Sequence, residues 1–287
     1  MTPSHRIRVR LARIGLSAQE VADRLHLSRP AVLRIGSELD AGRRPRHADA
    51  LAQTLGFNNL TPLLQDSGVE TLLRVPPPRG GARDSFTLRV ATRAAMLGWS
   101  QARMMEATLA GAAGVACTTI TRRLAAMPAS TDEDDDEGTC ETRAQAIARA
   151  GRDADAIVAD LTLALGLRHA DSLAPWSGPG WSDIADTEPP PSPAELRHGS
   201  YGWGGGVVAI AAALADAGYY ERVSTLPAAL AAAAEDAGVD APALTREIWS
   251  RLTRRGGEWG RIKRVADHLG LPVSRFFSGC QVVRANT

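Results

Sequence analysis

Apolar residues recur at helical spacing along most of the chain, and runs that alternate strictly between apolar and polar are nearly absent. One pattern occurs three times: two apolar residues four positions apart, followed at once by a glycine. Its members are Leu51, Leu55 and Gly56; Leu161, Leu165 and Gly166; and Val265, Leu269 and Gly270. The pattern predicts an apolar helix face that ends at a glycine. We therefore expect three related helical segments in order along the chain.

Two stretches rich in proline, glycine and serine separate these segments, and they are predicted to be linkers. The predicted organisation is repeat 1 at 1–74, a linker at 75–86, repeat 2 at 87–174, a linker at 175–204, repeat 3 at 205–279 and a tail at 280–287. Repeat 2 contains an insertion at 128–142 with seven acidic residues between Asp132 and Glu141. A charge run of this kind is typical of a solvated loop.

The first repeat shows local signals for two short helices joined by a tight turn. Ser17 and Glu20 have the spacing of a capping box, which predicts a helix beginning at this serine. A turn is expected at His26, and Ser28 is a capping residue for a third helix with Pro30 in its first turn. This arrangement predicts the geometry that places a recognition helix in the major groove of DNA.

Composition narrows the fold and the function class. Hydrophobic residues make up 44% and aromatic residues 5%, so the cores must consist mainly of Ala, Leu, Val and Ile, which favours an all-α fold. No apolar run reaches the length of a membrane span, and no export signal is seen. The three cysteines lack CxxC spacing, and we expect free thiols in a cytoplasmic protein. No metal-ligand spacing, phosphate loop or nucleophile motif appears, so we expect no metal, no cofactor and no enzyme activity.

The formal net charge is only +1, but the charge is unevenly distributed. Residues 1–83 contain 13 arginines against 7 acidic residues, and residues 244–264 contain seven basic residues against two acidic ones. Residues 84–173 are net acidic. A basic region therefore lies near each end of the chain, as expected of a nucleic-acid-binding protein.

The string GLSAQEVADRLHLSRPAVLRI, followed by a basic loop and ALAQTLGFNNLTPLL, carries a family resemblance. Residues 6–64 resemble the helix-turn-helix domain of phage repressors, Cro proteins and Xre-type regulators. The resemblance implies a bundle of about five helices whose second helix abuts the DNA backbone and whose third helix reads bases. By position it places these residues at DNA: Ser17, Gln19, Ser28, Arg29, Pro30, Arg34, Arg43, Arg44 and Arg46. The chain departs from the family at His26, where glycine is usual, and at Ala18, where glutamine is frequent.

Repeats 2 and 3 are similar to the same family more loosely, with Gly114 and Gly238 at the turn. In repeat 2 the residues expected on the exposed face of the third helix are Thr118, Thr119, Arg122 and Arg123. In repeat 3, DNA contact would depend on Arg246, Arg251, Arg254 and Arg255.

The sequence therefore predicts three tandem helical bundles and a sequence-specific double-stranded DNA-binding protein that regulates transcription. The expected partner is double-stranded DNA, with a homodimer left open and no membrane. One alternative is a DNA-binding role in plasmid or phage maintenance, in partition or replication. Another is a protein-interaction adaptor built from degenerate helix-turn-helix repeats.

Overall fold

The structure is a computed structural model, and the part of the chain that it describes contains fifteen helices and no strand. The prediction of an all-α fold is confirmed. The described residues are 1–65, 69–75, 77–78, 84–127, 150, 153–167, 170–174, 184, 205–253 and 259–274. The acidic insertion predicted at 128–142, most of the linker predicted at 175–204 and the candidate residues Arg254 and Arg255 lie outside these residues.

The first segment of the chain consists of six short helices. They are α1 (Pro3–Ile14), α2 (Ala18–Leu25), α3 (Arg29–Asp40), α4 (Ala48–Thr54), α5 (Thr61–Leu64) and α6 (Val69–Arg74). Side chains of Thr2, Ser17 and Ser28 cap the first three of them, so local chemistry determines where these helices begin.

The second and third segments repeat this order with changes. The second contains α7 (Phe86–Met96), α8 (Gln101–Ala107), α9 (Leu109–Ala112), α10 (Cys117–Ala125), α11 (Ala154–Ala164) and a 3-10 turn (Ala170–Leu173). The third contains α12 (Gly205–Asp216), a 3-10 turn (Tyr219–Glu221), α13 (Leu226–Asp236), α14 (Ala241–Thr253) and α15 (Gly260–His268).

Left-handed backbone conformations recur at matching places in the three segments. Ten described residues have positive φ, and nine of them form three sets of three. The sets follow the first helix (Gly15, Gly98, Gly218), lie before α3, α10 and α14 (His26, Gly114, Gly238) and follow α4, α11 and α15 (Gly56, Gly166, Gly270). The prediction that the last three glycines end helices is confirmed. His26, at φ 53°, is the one member with a side chain.

The first two segments also match at a constant separation that the sequence analysis missed. The matching pairs are Thr2 and Ser85, Arg6 and Arg89, Arg10 and Arg93, Gly15 and Gly98, and Ser17 and Ser100. The arginines of these pairs are buried, and they hold the ends of later helices. The Nε atoms of Arg10 and Arg93 donate to the carbonyl oxygens of Leu55 and Leu165, at 2.8 Å and 3.1 Å. The carbonyl acceptors are thus the residues directly before Gly56 and Gly166.

This burial changes the expected surface charge of the first segment. Arg6, Arg10 and Arg13 belong to the basic region near the N-terminus, and all three are buried in α1. Burial and, to a smaller extent, the nearby charge of Arg13 together lower the pKa of Arg10 to about 10, so Arg10 is still charged at neutral pH. These charges stabilise the fold and are not available to a partner at the surface.

The described residues form two hydrophobic cores where the sequence predicts three separate bundles. One core lies within the first segment, and the other runs through the second and third segments together. Helix α12 packs against α11, and α14 packs against α9. The physical reason is composition: α12 and α13 are mostly Ala, Val, Ile and Leu, so they bury more than one face.

Candidate nucleic-acid interface

Helices α2 and α3 are joined as the sequence predicts. Ser17 Oγ accepts from the Glu20 N–H at 3.1 Å, and the Glu20 carboxylate accepts from the Ser17 N–H at 2.6 Å, which confirms the capping box. The bond from the Ser17 backbone lowers the pKa of Glu20. Ser28 Oγ accepts from the Ala31 N–H at 3.3 Å and begins α3. The left-handed His26 lies between the two helices and makes the turn.

Helix α3 buries one face and leaves the opposite face free. Its buried residues are Val32, Ile35, Gly36 and Leu39, and it packs mainly on α1 and α2. A Cβ added at Gly36 would lie 3.1 Å from Ser4 Cβ, so glycine permits the close approach of α1. The outward residues Arg29, Pro30, Leu33, Arg34 and Ser37 are exposed. Leu33 is 51% exposed and is one of five large hydrophobic residues exposed in the described part of the chain.

The charges around α3 fall into paired and unpaired groups. Arg34 Nε lies 3.5 Å from Glu38 Oε1. Arg44 Nη2 donates to both carboxylate oxygens of Asp49, at 2.9 Å and 2.8 Å. In the described part of the chain, no carboxylate pairs with the exposed residues Arg29, Arg43 and Arg46. Gln19 is also exposed, and its amide donates to Asp23. The unpaired guanidinium groups lie at the start of α3 and in the loop that follows it.

Helix α10 is the counterpart of α3 in the second segment. It buries Ile120 and Leu124 and exposes Thr118 and Arg122, while Thr119 is half-buried. Arg123, which the sequence places on the exposed face, turns instead toward the start of α11. Its Nε lies 2.9 Å from the Asp153 carboxylate and its Nη1 donates to Ala150 O at 3.1 Å. The free face of α10 therefore carries one arginine rather than two.

The helix before α10 is broken into α8 and α9, a feature that the sequence analysis missed. Thr108 has extended backbone angles and its hydroxyl accepts from the Gly111 N–H. The buried Asp160 carboxylate accepts from the Leu109 and Ala110 N–H groups, both at 2.8 Å. Burial raises the pKa of Asp160 to about 7, against the lowering effect of these bonds. The available sequence signal was Thr108, a capping residue within an otherwise apolar helical stretch.

Helix α14 is the counterpart of α3 in the third segment, and it is covered more widely. Thr245, Glu247 and Trp249 are buried together with the expected apolar residues of the helix. Glu247 accepts from Arg261 Nη1 at 3.1 Å and so holds the start of α15. Among the predicted site residues, Arg246 is exposed. Arg251 stacks on Trp259, with its Cζ 4.0 Å from the ring centroid.

Within the described ranges, no cluster of three or more His, Cys, Asp or Glu is placed to hold a metal ion. No described helix combines the length and hydropathy needed to cross a membrane. Cys117 is a free cysteine, and the other two cysteines lie outside the described residues.

Comparisons with protein-family models, with curated proteins and with solved structures find no match to this chain. Function therefore has to be inferred from the geometry and charge of the chain.

Proposed function

We propose that this chain is a sequence-specific double-stranded DNA-binding protein that regulates transcription, with α3 as a recognition helix. The observation that carries this proposal is the free outward face of α3, which begins at a capped N-terminus and is flanked by unpaired arginines. An α-helix with its side chains is about 10–12 Å across, which matches the width of the major groove of B-DNA. The resemblance of residues 6–64 to repressor-type helix-turn-helix domains supports the same assignment.

The exposed residues of this surface suit different parts of a duplex. Arg29, at the first position of α3, has the reach and donor geometry to bind guanine O6 and N7. Leu33 offers an apolar contact for a thymine methyl group. Arg34 is five residues after Arg29 and points about 140° away around the helix, so it reaches a flanking base or phosphate. Arg43 and Arg46 in the following loop suit phosphates, which fix register without reading sequence.

The adaptor alternative requires repeats without a free third helix, and of the three segments only the third fits that requirement. Thr245 and Trp249 are buried, so α14 does not present the free face that α3 presents. We therefore assign the third segment a structural role and the first segment the DNA contact. A role in plasmid or phage maintenance would use the same α3 contacts. Sequencing the DNA bound in cells separates the two, because promoters indicate regulation and a replication or partition locus indicates maintenance.

The test begins by selecting the duplex that the full chain prefers from a random pool. Arg29→Ala should then weaken binding to that duplex by about 1–3 kcal/mol and relax the preference at one base pair. Arg43→Ala and Arg46→Ala should weaken all duplexes alike, and each should reduce the salt slope by about 1. Arg8→Ala, an exposed arginine on α1, is the control and should leave sequence preference unchanged. The proposal is wrong if no duplex is preferred, or if Arg29→Ala weakens every sequence equally.

A further inference from the structure

The first helices of the first two segments, α1 and α7, pack against each other. They run antiparallel. His5, near the start of α1, has its Nε2 2.6 Å from the carbonyl oxygen of Ala95, near the end of α7. Arg13, near the end of α1, interacts electrostatically with Asp84 and Arg89, at the start of α7. Two helices that occupy the same place in their segments thus form the contact between those segments.

The register of this contact is the one that a local two-fold axis between α1 and α7 would give. At the constant separation of matching residues, Ala95 corresponds to Ala12, and Arg89 corresponds to Arg6. His5 therefore contacts the counterpart of Ala12, while Arg13 lies near the counterpart of Arg6. Both contacts centre the crossing on the middle of each helix, where Val9 and its counterpart Thr92 are both fully buried. Self-complementary contact between equivalent elements is the property of an isologous interface.

The third segment is joined differently. It contacts the second segment through non-equivalent elements, α12 on α11 and α14 on α9. Its counterpart of the exposed Leu33 is Thr245, which is only 5% exposed. In α10 the counterparts of Leu33 and Arg34 are Thr121 and Arg122, and both are exposed. The two segments with a free third helix are thus the two that share the symmetric contact.

We propose that the first two segments form a pseudo-symmetric pair within one chain and read two unlike half-sites in inverted orientation on one duplex. This inference rests on the proposed function. Helix α3 reads one half-site and α10 reads the other, with the local dyad at Val9 and Thr92 aligned with a dyad of the DNA. Such pairs suit half-sites about one helical turn apart, near 34 Å or 10–10.5 base pairs. The half-sites differ because α10 offers Thr118, Thr121 and Arg122 where α3 offers Pro30, Leu33 and Arg34.

The test uses the full chain and the duplex that it prefers. Arg122→Ala should relax preference in one half of the site, and Arg29→Ala should relax it only in the other half. Arg222→Ala, an exposed arginine of the third segment, is the matched control and should change neither half. Reversing the half-site that depends on Arg122, or inserting about half a helical turn between the halves, should weaken binding at least about tenfold.

The outcomes separate this inference from the proposed function. If Arg29→Ala relaxes one base pair and Arg122→Ala changes no preference, α3 reads DNA alone and the paired reading is wrong. If a direct repeat of the two half-sites binds as well as the inverted arrangement, the two-fold relation is wrong. If no duplex is preferred at all, the proposed function itself fails.

Discussion

Helices α3 and α14 have matching places in their segments, yet one has a free face and the other is covered. Pro30 and Arg34 of α3 correspond to Pro242 and Arg246 of α14, and both helices follow a left-handed turn residue. Leu33 is 51% exposed, whereas its counterpart Thr245 is 5% exposed. The difference arises because α14 also packs on α9 of the second segment. The local sequence pattern identifies a third helix, but the rest of the chain decides whether that helix keeps an exposed face.

The first helices show the same division between segments. Helices α1 and α7 carry buried arginines at two matching positions, and these donate to carbonyl oxygens of elements later in the chain. In α12 the corresponding positions are Ala209 and Ala213, which offer no donor. Here the first helix packs on α11 through apolar contact instead. The two segments with these buried arginines are also the two whose third helices, α3 and α10, keep an exposed face.

The largest expected effect comes from changing the covered face of α14. Trp249→Ser should lower the free energy of unfolding by about 3–5 kcal/mol, because it empties the volume of a large buried side chain. Its counterpart in α3 is the exposed Ser37, and Ser37→Ala should change stability by no more than about 0.5 kcal/mol. Denaturant unfolding followed by circular dichroism measures both. Similar small values for the two variants would mean that α14 is as free as α3.

A somewhat smaller loss of stability is expected from replacing a buried arginine of α1. Arg10→Met should destabilise the first segment by about 2–4 kcal/mol, because the carbonyl oxygens of Leu55, Leu72 and Val75 lose a charged donor. Arg8→Met on the exposed side of the same helix is the control, with an expected effect near zero. Hydrogen exchange of the α4 amides reports the change locally. Equal protection in the two variants would show that Arg10 is dispensable for holding α4.

The smallest effect concerns the helix break that brings α9 against α14. In the folded chain the pKa of Asp160 is raised to about 7, against about 3.9 for an unfolded chain. The folded state therefore holds the extra proton between these values, and the stability contributed by Asp160 falls as the pH rises through this window. The stability of the wild type relative to Asp160→Asn should thus decrease by about 2–3 kcal/mol from about pH 5 to about pH 8.

Denaturant midpoints of both proteins at the two pH values measure this difference. Asp267→Asn, which makes the same change at an exposed carboxylate on α15, is the control. A constant difference between the wild type and Asp160→Asn would show that Asp160 does not titrate in this window.

Local features of the fold were predictable because their causes lie within a few residues. Ser17 and Glu20 cap the start of α2 by hydrogen bonds across one helical turn. Gly56, Gly166 and Gly270 each adopt the left-handed conformation that ends a helix. The repeated apolar spacing also predicted the helices that precede these glycines. These signals depend on local backbone hydrogen bonds and on the steric freedom of single residues. Both are set by residues that are neighbours in the sequence.

What only the tertiary structure decided are the contacts between residues far apart in the chain. The arginines of α1 are visible in the sequence, but their burial is not. It depends on carbonyl oxygens such as those of Leu55 and Leu72, which lie more than forty residues further along the chain. Arg123 has the same charge as Arg122, and its turn toward Asp153 depends on where α11 begins. The face of α14 is covered because an apolar, alanine-rich segment gains more by packing on a neighbour than by remaining in water. Local sequence therefore determined most helix ends, the break between α8 and α9 being the exception, and packing determined which helix faces stay exposed.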